Sequence, residues 1–200
     1  MFLKLALINS LIFFSLSVQA LNPGNDAIDF SLQNQNGETV KLSDFKGKII
    51  ILEWFNHGCP YVKKHYNSGN MQATQRIYQE NTEVVWLSII SSAKGKQGFM
   101  ATPKDAKNKM KEVAMASDFL LLDHTGEVGQ KYSAKTTPHI YIIGADFKLK
   151  YQGAIDSIPS ASEADISKAT NYITSSVSKI MLKQVPNPSK TKAYGCSVKY

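Results

Sequence analysis

Cysteine is scarce in this 200-residue chain: there are two, Cys59 and Cys196. So few exclude a small scaffold stapled by several disulfides. Arginine is scarcer still, with Arg76 alone. Readers of DNA and RNA lean on arginine for bidentate contacts. The net charge of +7 is therefore a lysine charge, and its scatter reads as a solvated surface that suits acidic partners or anionic envelope surfaces, with no nucleic-acid partner implied. Around Ala93-Lys94-Gly95-Lys96 the G-x-x-x-x-G-K-[ST] spacing is missing, which excludes a phosphate loop. No apolar run reaches the ~20 residues that span a bilayer. No C-x-x-x-C or H-x-x-x-H spacing marks a metal centre. His57, Cys59 and His139 are the best soft-metal donors the chain offers, but the pattern implies no metal and no other cofactor.

What is present suits one compact domain: 43% of residues are hydrophobic and 20% charged, at a length that holds one core and not two. Residues 1–20 stand apart. Lys4 precedes an apolar stretch from Leu5 to Leu16, and Val18 and Ala20 supply the small-x-small pattern of a cleavage site. This is the signature of a secretory signal peptide cleaved after Ala20, and it predicts an exported protein, periplasmic or secreted, with no stable membrane anchor once cleaved. Outside the cytosol a pair of cysteines becomes either a structural bridge or a redox pair.

Along the rest of the chain, Ile28 to Leu32 and Glu38 to Leu42 alternate around Asn36-Gly37, a hairpin signal. Lys48 to Phe55 and Glu83 to Ile90 are near-continuous apolar runs, as in strands buried on both faces. Between them a helix opens at Pro60, where a missing N–H costs nothing, loosens at Ser68-Gly69-Asn70 and resumes from Met71 to Gln79. Further expectations are a helix over Pro103 to Ala116, a strand over Phe119 to Leu122, a short helix from Val128 to Tyr132, and a hairpin of His139–Ile143 with Lys148–Gly153. A last helix runs from Glu163 to Leu182, with Ile166, Ala169, Ile173, Val177 and Ile180 on one stripe. Residues 186–200 form a tail carrying Cys196, flexible enough to reach the site. The fold class is α/β with a mixed central sheet flanked by helices, over one domain spanning residues 21–185.

Cys59 falls where a buried strand gives way to a helix. Unpaired N–H groups and the positive end of the helix dipole stabilise a thiolate there, and such a position pulls a thiol from ~8.5 to ~3.5–7.5. The alternative is an inert buried cysteine. Polar or small neighbours, Asn56, His57 and Gly58, and the position at the carboxyl end of the sheet favour reactivity. His57 can stabilise the thiolate, take its proton, or be a polar loop residue. Glu53 lies mid-strand, where a carboxyl without a cationic partner should have a raised pKa, unless the position is an edge facing water. His65 and His124 read as surface residues.

The segment Glu53-Trp54-Phe55-Asn56-His57-Gly58-Cys59-Pro60-Tyr61-Val62 resembles the active-site segment of the thioredoxin-like redoxins. Thr137-Pro138 resembles the cis-proline corner of that fold. Phe30-Ser31-Leu32 through Leu42-Ser43-Asp44-Phe45-Lys46-Gly47-Lys48 resembles the opening of the branch grouped with alkyl hydroperoxide reductase and thiol-specific antioxidant proteins. The resemblance covers roughly Asn22 to Leu182 and implies a thioredoxin fold. It makes Cys59 the nucleophile and Glu53 its proton acceptor. It places Pro60, Tyr61, Thr137 and Pro138 against substrate, with Trp54 and His139 at the rim. The family's second cysteine falls on Val62, so the motif reads CPYV and the usual resolving thiol is missing. Cys196 is the one candidate within the chain. The pair predicts a reversible disulfide, within or between chains, against a static staple whose long loop would contribute ~4–5 kcal/mol.

Three functions compete at this stage. The first is thiol–disulfide exchange with protein or small-molecule thiols and disulfides, coupled to an external electron donor or acceptor. The second is peroxide reduction, which Asn56, standing where peroxiredoxins keep a threonine or serine, and a remote Arg76 disfavour. The third is a non-enzymatic metal-binding or assembly factor.

Overall fold

A computed structural model describes residues 21–200, so the expected signal peptide lies outside the described residues. The chain opens with a hairpin of β1 (Ser31–Gln33) and β2 (Thr39–Lys41) around the Asn36-Gly37 turn, where Asn34 Oδ1 accepts the N–H groups of Asn36 and Glu38. The apolar runs form β3 (Ile49–Trp54) and β4 (Val84–Ile90), paired in parallel and buried along their whole length. Between them lie α1 (Pro60–Asn67) and α2 (Asn70–Gln79), separated at Gly69, whose φ of 74° a residue with a side chain rarely adopts. α3 (Pro103–Glu112) leads to β5 (Phe119–Leu122), and α4 (Glu127–Lys131) to a two-residue strand, β6 (Thr136–Thr137). β7 (His139–Ile143) and β8 (Leu149–Gly153) form the second hairpin, followed by α5 (Tyr172–Met181) and the two-residue β9 (Cys196–Ser197).

Seven strands make one mixed sheet in the order β2-β1-β5-β4-β3-β7-β8, while β6 pairs only with β9. Alternation along β3 divides the core. Ile50, Leu52 and Trp54 pack with Leu87, Tyr132 and Tyr141 on one face. Ile49, Ile51 and Phe55 join Cys59, Val62, Trp86 and Val177 on the other. Glu53 belongs to that second face by the same period of two.

The structure departs from the sequence reading in three places. The last helix is two pieces, a 3-10 stretch at Glu163–Lys168 and α5. Asn171 interrupts it: it is bridged to Asp156, and its side chain caps the N–H groups of Ile173 and Thr174. Ile166 and Ala169 are thereby half-buried off the stripe. α3 stops at Glu112, short of Ala116, because Ala114 turns left-handed at φ 50°. The tail is pinned rather than loose. Gln152 N–H donates to Ser189 O, Ala154 N–H to Thr191 Oγ1, and Tyr200 Oη to Ala134 O at 2.8 Å.

Candidate active site

Cys59 caps α1 with an extended backbone, and Pro60 follows as the first helical residue. The loop before it is shaped by Asn56, which accepts the Gly58 N–H at 2.9 Å and donates to Gln97 O at 3.1 Å. Across from Cys59 stands the Thr137-Pro138 corner, whose peptide bond is cis. The Cys59 thiol donates to Thr137 O at 3.1 Å. β9 lies antiparallel on β6 with Cys196 opposite Thr137, so the two cysteines, 137 positions apart in sequence, meet at one corner. Both are free thiols.

Burial pushes the Cys59 thiol up, but donors outweigh it: the Cys196 thiol and N–H, the Val62 N–H at the helix mouth and the Thr137 hydroxyl leave it net lowered. Thr137 Oγ1 is buried and has no partner beside the neutral thiol, so this hydroxyl is satisfied once the sulfur is charged. Cys196 shifts the other way, to about 11, through burial and the neighbouring sulfur. The two shifts run in opposite directions, so Cys59 gives up its proton before Cys196 does.

An accessible sulfur was expected, and Cys59 is 0% exposed. Much of the cover is the tail: Tyr194 and Cys196 pack against the core cluster that contains Cys59. Tyr61 stacks edge-on to Tyr194 at 5.8 Å, and Pro60 is exposed.

The remaining site residues are placed as follows. Glu53 is fully buried and accepts from Trp86 Nε1, Ser88 Oγ, Tyr66 Oη and Gln75 Nε2, at 2.9 to 3.2 Å. Burial raises its pKa and these donors only partly offset the rise. It shares the Cys59 face of the sheet, but its hydrogen bonds run to α1, α2 and β4 rather than to the sulfur. His57 lines a 210 Å³ cavity with Phe55, Val62 and Lys109, and its Nδ1 is buried without a partner. Burial, then the Lys109 charge, lowers its pKa, which favours the neutral ring. Trp54 is a core residue and does not reach the rim. His139 is buried against Tyr141 and burial pushes it down to about 3. His65, expected at the surface, is fully buried, because the α1 face that carries it packs onto Asp156 and the tail; His124 is an exposed turn residue. Among the described residues no group of three or more His, Cys, Asp and Glu side chains could hold a metal ion.

The pattern of the AhpC/TSA family matches residues 23–152. The chain belongs to this family. The AhpC/TSA match ends before α5 and the tail, so Cys196 lies outside it. Over 48 residues the chain is 35% identical to the thiol-disulfide oxidoreductase ResA of Bacillus subtilis, covering 24% of this chain and 27% of that protein. An uncharacterized conserved protein from Geobacillus kaustophilus has a similar structure, with a TM-score of 0.72, 25% identity, and 90% and 93% of the two chains covered. A putative thiol:disulfide interchange protein DsbE from Chlorobium tepidum superposes at a TM-score of 0.54 with 22% identity, covering 66% and 85% of the two chains, which speaks to the fold alone. Together these support a thioredoxin-like redoxin and, as a class, an oxidoreductase.

Sequence reasoning missed Tyr194, Lys64 and Asp156. Lys64 Nζ meets Asp156 Oδ2 at 3.1 Å in the interior. A lysine among polar helix residues gives no sign of burial, and its (i, i+3) and (i, i+4) neighbours, Pro60, Tyr61, Asn67 and Ser68, are none of them buried.

Proposed function

We propose that this AhpC/TSA-family protein is an exported thiol–disulfide oxidoreductase in which Cys59 is the nucleophile and Cys196 resolves. The observation that carries the reading is the antiparallel pairing of β9 with β6, which sets Cys196 beside Cys59 as a hydrogen-bond donor.

The Cys59 thiolate attacks one sulfur of a substrate disulfide. The substrate S–S bond breaks, a Cys59–substrate bond forms, and the departing thiolate takes a proton. Cys196 then loses its proton and attacks the Cys59 sulfur. The second substrate sulfur leaves as a thiol, and Cys59–Cys196 is left as a disulfide. Two electrons pass from the protein to the substrate, and an external dithiol returns them; the reverse sequence oxidises a dithiol. Because Cys59 is sealed, the stretch around β9 must lift before a protein or small-molecule disulfide can reach it. The edge of β6 that β9 occupies is the edge where an extended polypeptide would add as a strand beside Thr137 and Pro138. Pro60 and Tyr61 flank that path. Glu53, buried on the Cys59 face of the sheet, is the proton acceptor for the cysteine chemistry, and His57 stands as a neutral ring behind the loop.

Peroxide reduction ranks second. Family membership favours it. Against it, the Asn56 side chain is committed to Gly58 and Gln97, and Arg76 is an exposed residue of α2. Export rests on residues 1–20 and is tested by fractionating cells that express the full chain.

The deciding experiment oxidises the protein with a peptide disulfide and maps the product by mass without reduction. A Cys59–Cys196 bridge, and a trapped Cys59–peptide adduct in Cys196→Ser, are expected. No bridge in the wild type, together with no Cys59–peptide adduct in Cys196→Ser, would remove the reading. Oxidation by hydrogen peroxide far faster than that of a free thiol would promote the second.

A further inference from the structure

The tail crosses a buried ionic cluster that the exchange chemistry does not use. Lys64 is 1% exposed and Asp156 5%. Lys64 Nζ bonds Asp156 Oδ2 at 3.1 Å and Ile158 O at 3.3 Å. Asp156 Oδ1 accepts the Ile158 N–H at 3.0 Å. His65 Nδ1 pairs with the Asn70 amide at 2.8 Å, which assigns the ring proton to Nε2, 3.4 Å from the Tyr194 hydroxyl and 3.7 Å from Asp156. Burial pushes His65 down to about 4, so the ring is neutral and the carboxylate is balanced by Lys64. The tail adds one more donor to this cluster. Tyr194, two residues before Cys196, donates its hydroxyl to Asp156 Oδ1 at 2.5 Å. Its ring lies 5.7 Å from the Lys64 ammonium and packs edge-on to Tyr61.

Two features make this contact separable from the fold. Lys64 and the Ile158 N–H still bond Asp156 when the hydroxyl is withdrawn, so opening leaves no bare buried charge. The bond also joins the two halves of the redox pair. Lys64 lies on α1 five residues after Cys59, which caps that helix, and Tyr194 stands two residues before Cys196.

We propose that Tyr194 is a positioning residue, a latch whose hydrogen bond to the Lys64–Asp156 pair holds Cys196 against Cys59 and keeps the Cys59 sulfur covered. The half of this that concerns Cys196 rests on its resolving role; the half that concerns cover does not.

The test uses the mature chain carrying Cys196→Ser, which leaves Cys59 as the single thiol. Iodoacetamide labelling of Cys59 is timed by mass, with and without Tyr194→Phe. Loss of a hydrogen bond to a charged group corresponds to about ten- to a hundredfold in the open population, so labelling should accelerate by about that factor. Tyr132→Phe is the control. It removes a tyrosine hydroxyl bonded to Ile28 O on the other face of the sheet, and should lower thermal stability without accelerating labelling. An unchanged rate in Tyr194→Phe, or an equal acceleration in Tyr132→Phe, overturns the latch. With both cysteines restored, Tyr194→Phe should make the Cys59–Cys196 disulfide easier for glutathione to reduce by the same factor. Faster labelling in a protein whose wild type forms no such disulfide would uphold the latch as a cover and end the resolving role.

Discussion

The sharpest single-atom perturbation of the proposed pair is Gly195→Ala. Gly195 immediately precedes Cys196 and has φ 135°, a region L residues rarely adopt. A Cβ built there would sit 2.0 Å from Thr137 O, 2.8 Å from Thr137 C and 3.3 Å from Pro138 N. All three are backbone atoms, and Thr137 O is the acceptor of the Cys59 thiol. No side-chain rotation relieves the first contact, more than an ångström inside ordinary separation, so β9 must leave β6. The left-handed backbone costs about 1–2 kcal/mol for alanine. Each strand-pairing hydrogen bond lost costs about 1 kcal/mol. The sum, about 2–4 kcal/mol, is about thirty- to a thousandfold in the docked population. Everything from residue 21 to β8 should stay folded, since the clash is confined to the tail and one corner. The assay equilibrates the protein with glutathione mixtures and reads the Cys59–Cys196 disulfide by mass. The variant should form it less favourably by the factor above and expose Cys59 to alkylation. A wild-type equilibrium constant in Gly195→Ala would refute the docking geometry on which the resolving role depends.

Three further outcomes follow from the same geometry. Cys196→Ala removes the side-chain donor to the Cys59 sulfur, so the pH profile of Cys59 alkylation should move to higher pH; an unmoved profile would show that Cys196 does not tune the thiol. Glu53 binds its proton more tightly when folded, because burial raises its pKa. Its contribution to stability is complete below ~4.5 and is lost as pH rises through the folded value, with a slope of at most about 1.4 kcal/mol per pH unit. The unfolding free energy of the wild type minus that of Glu53→Gln, measured in urea at pH 5, 6 and 7, cancels the opposite slope of the buried His65 and His139 and should fall as pH rises; the variant should also turn over more slowly at neutral pH, and parallel stability curves would contradict the raised pKa. Lys64→Met leaves the buried Asp156 carboxylate without its cation and should cost about 3–5 kcal/mol in unfolding free energy. Lys64→Met with Asp156→Leu should recover most of it, and an additive double variant would show that the two do not act as a pair.

The strands and the position of Cys59 were legible because they rest on local patterns. Runs such as Ile49–Trp54 admit one reading, and Pro60 after Cys59 marks a helix start. Glu53 was legible for the same reason: an acidic residue in a strand with no solvent face has to be buried and bonded. What escaped depends on long-range packing. Nothing within residues 163–182 shows that Asn171 pairs with Asp156 and divides the helix. Nothing near His65 or Lys64 shows that the tail closes over them. The tail's proline-bearing, polar composition reads as loose chain, yet its order comes from partners more than thirty residues away: Gln152 with Ser189, Ala154 with Thr191, Ala134 with Tyr200.

If Cys196 is the resolving thiol, as proposed, its position changes how the redox poise is set. In a C-x-x-C helix the resolving thiol is held three residues from the nucleophile by the helix itself, and its effective concentration is built in. Here position 62 is a valine buried in the core, and only its N–H serves the sulfur. The second thiol arrives across 137 positions of sequence and is held by tail docking, through β9 and the Tyr194 hydroxyl. The disulfide equilibrium is then the intrinsic exchange constant multiplied by the docked fraction of the tail. A partner that competes for the β6 edge lowers that fraction and makes the oxidised protein a stronger oxidant at the moment of engagement. The same displacement uncovers Cys59. On that proposal, access and redox driving force would be coupled through one segment, a linkage that a cysteine fixed at position 62 could not provide.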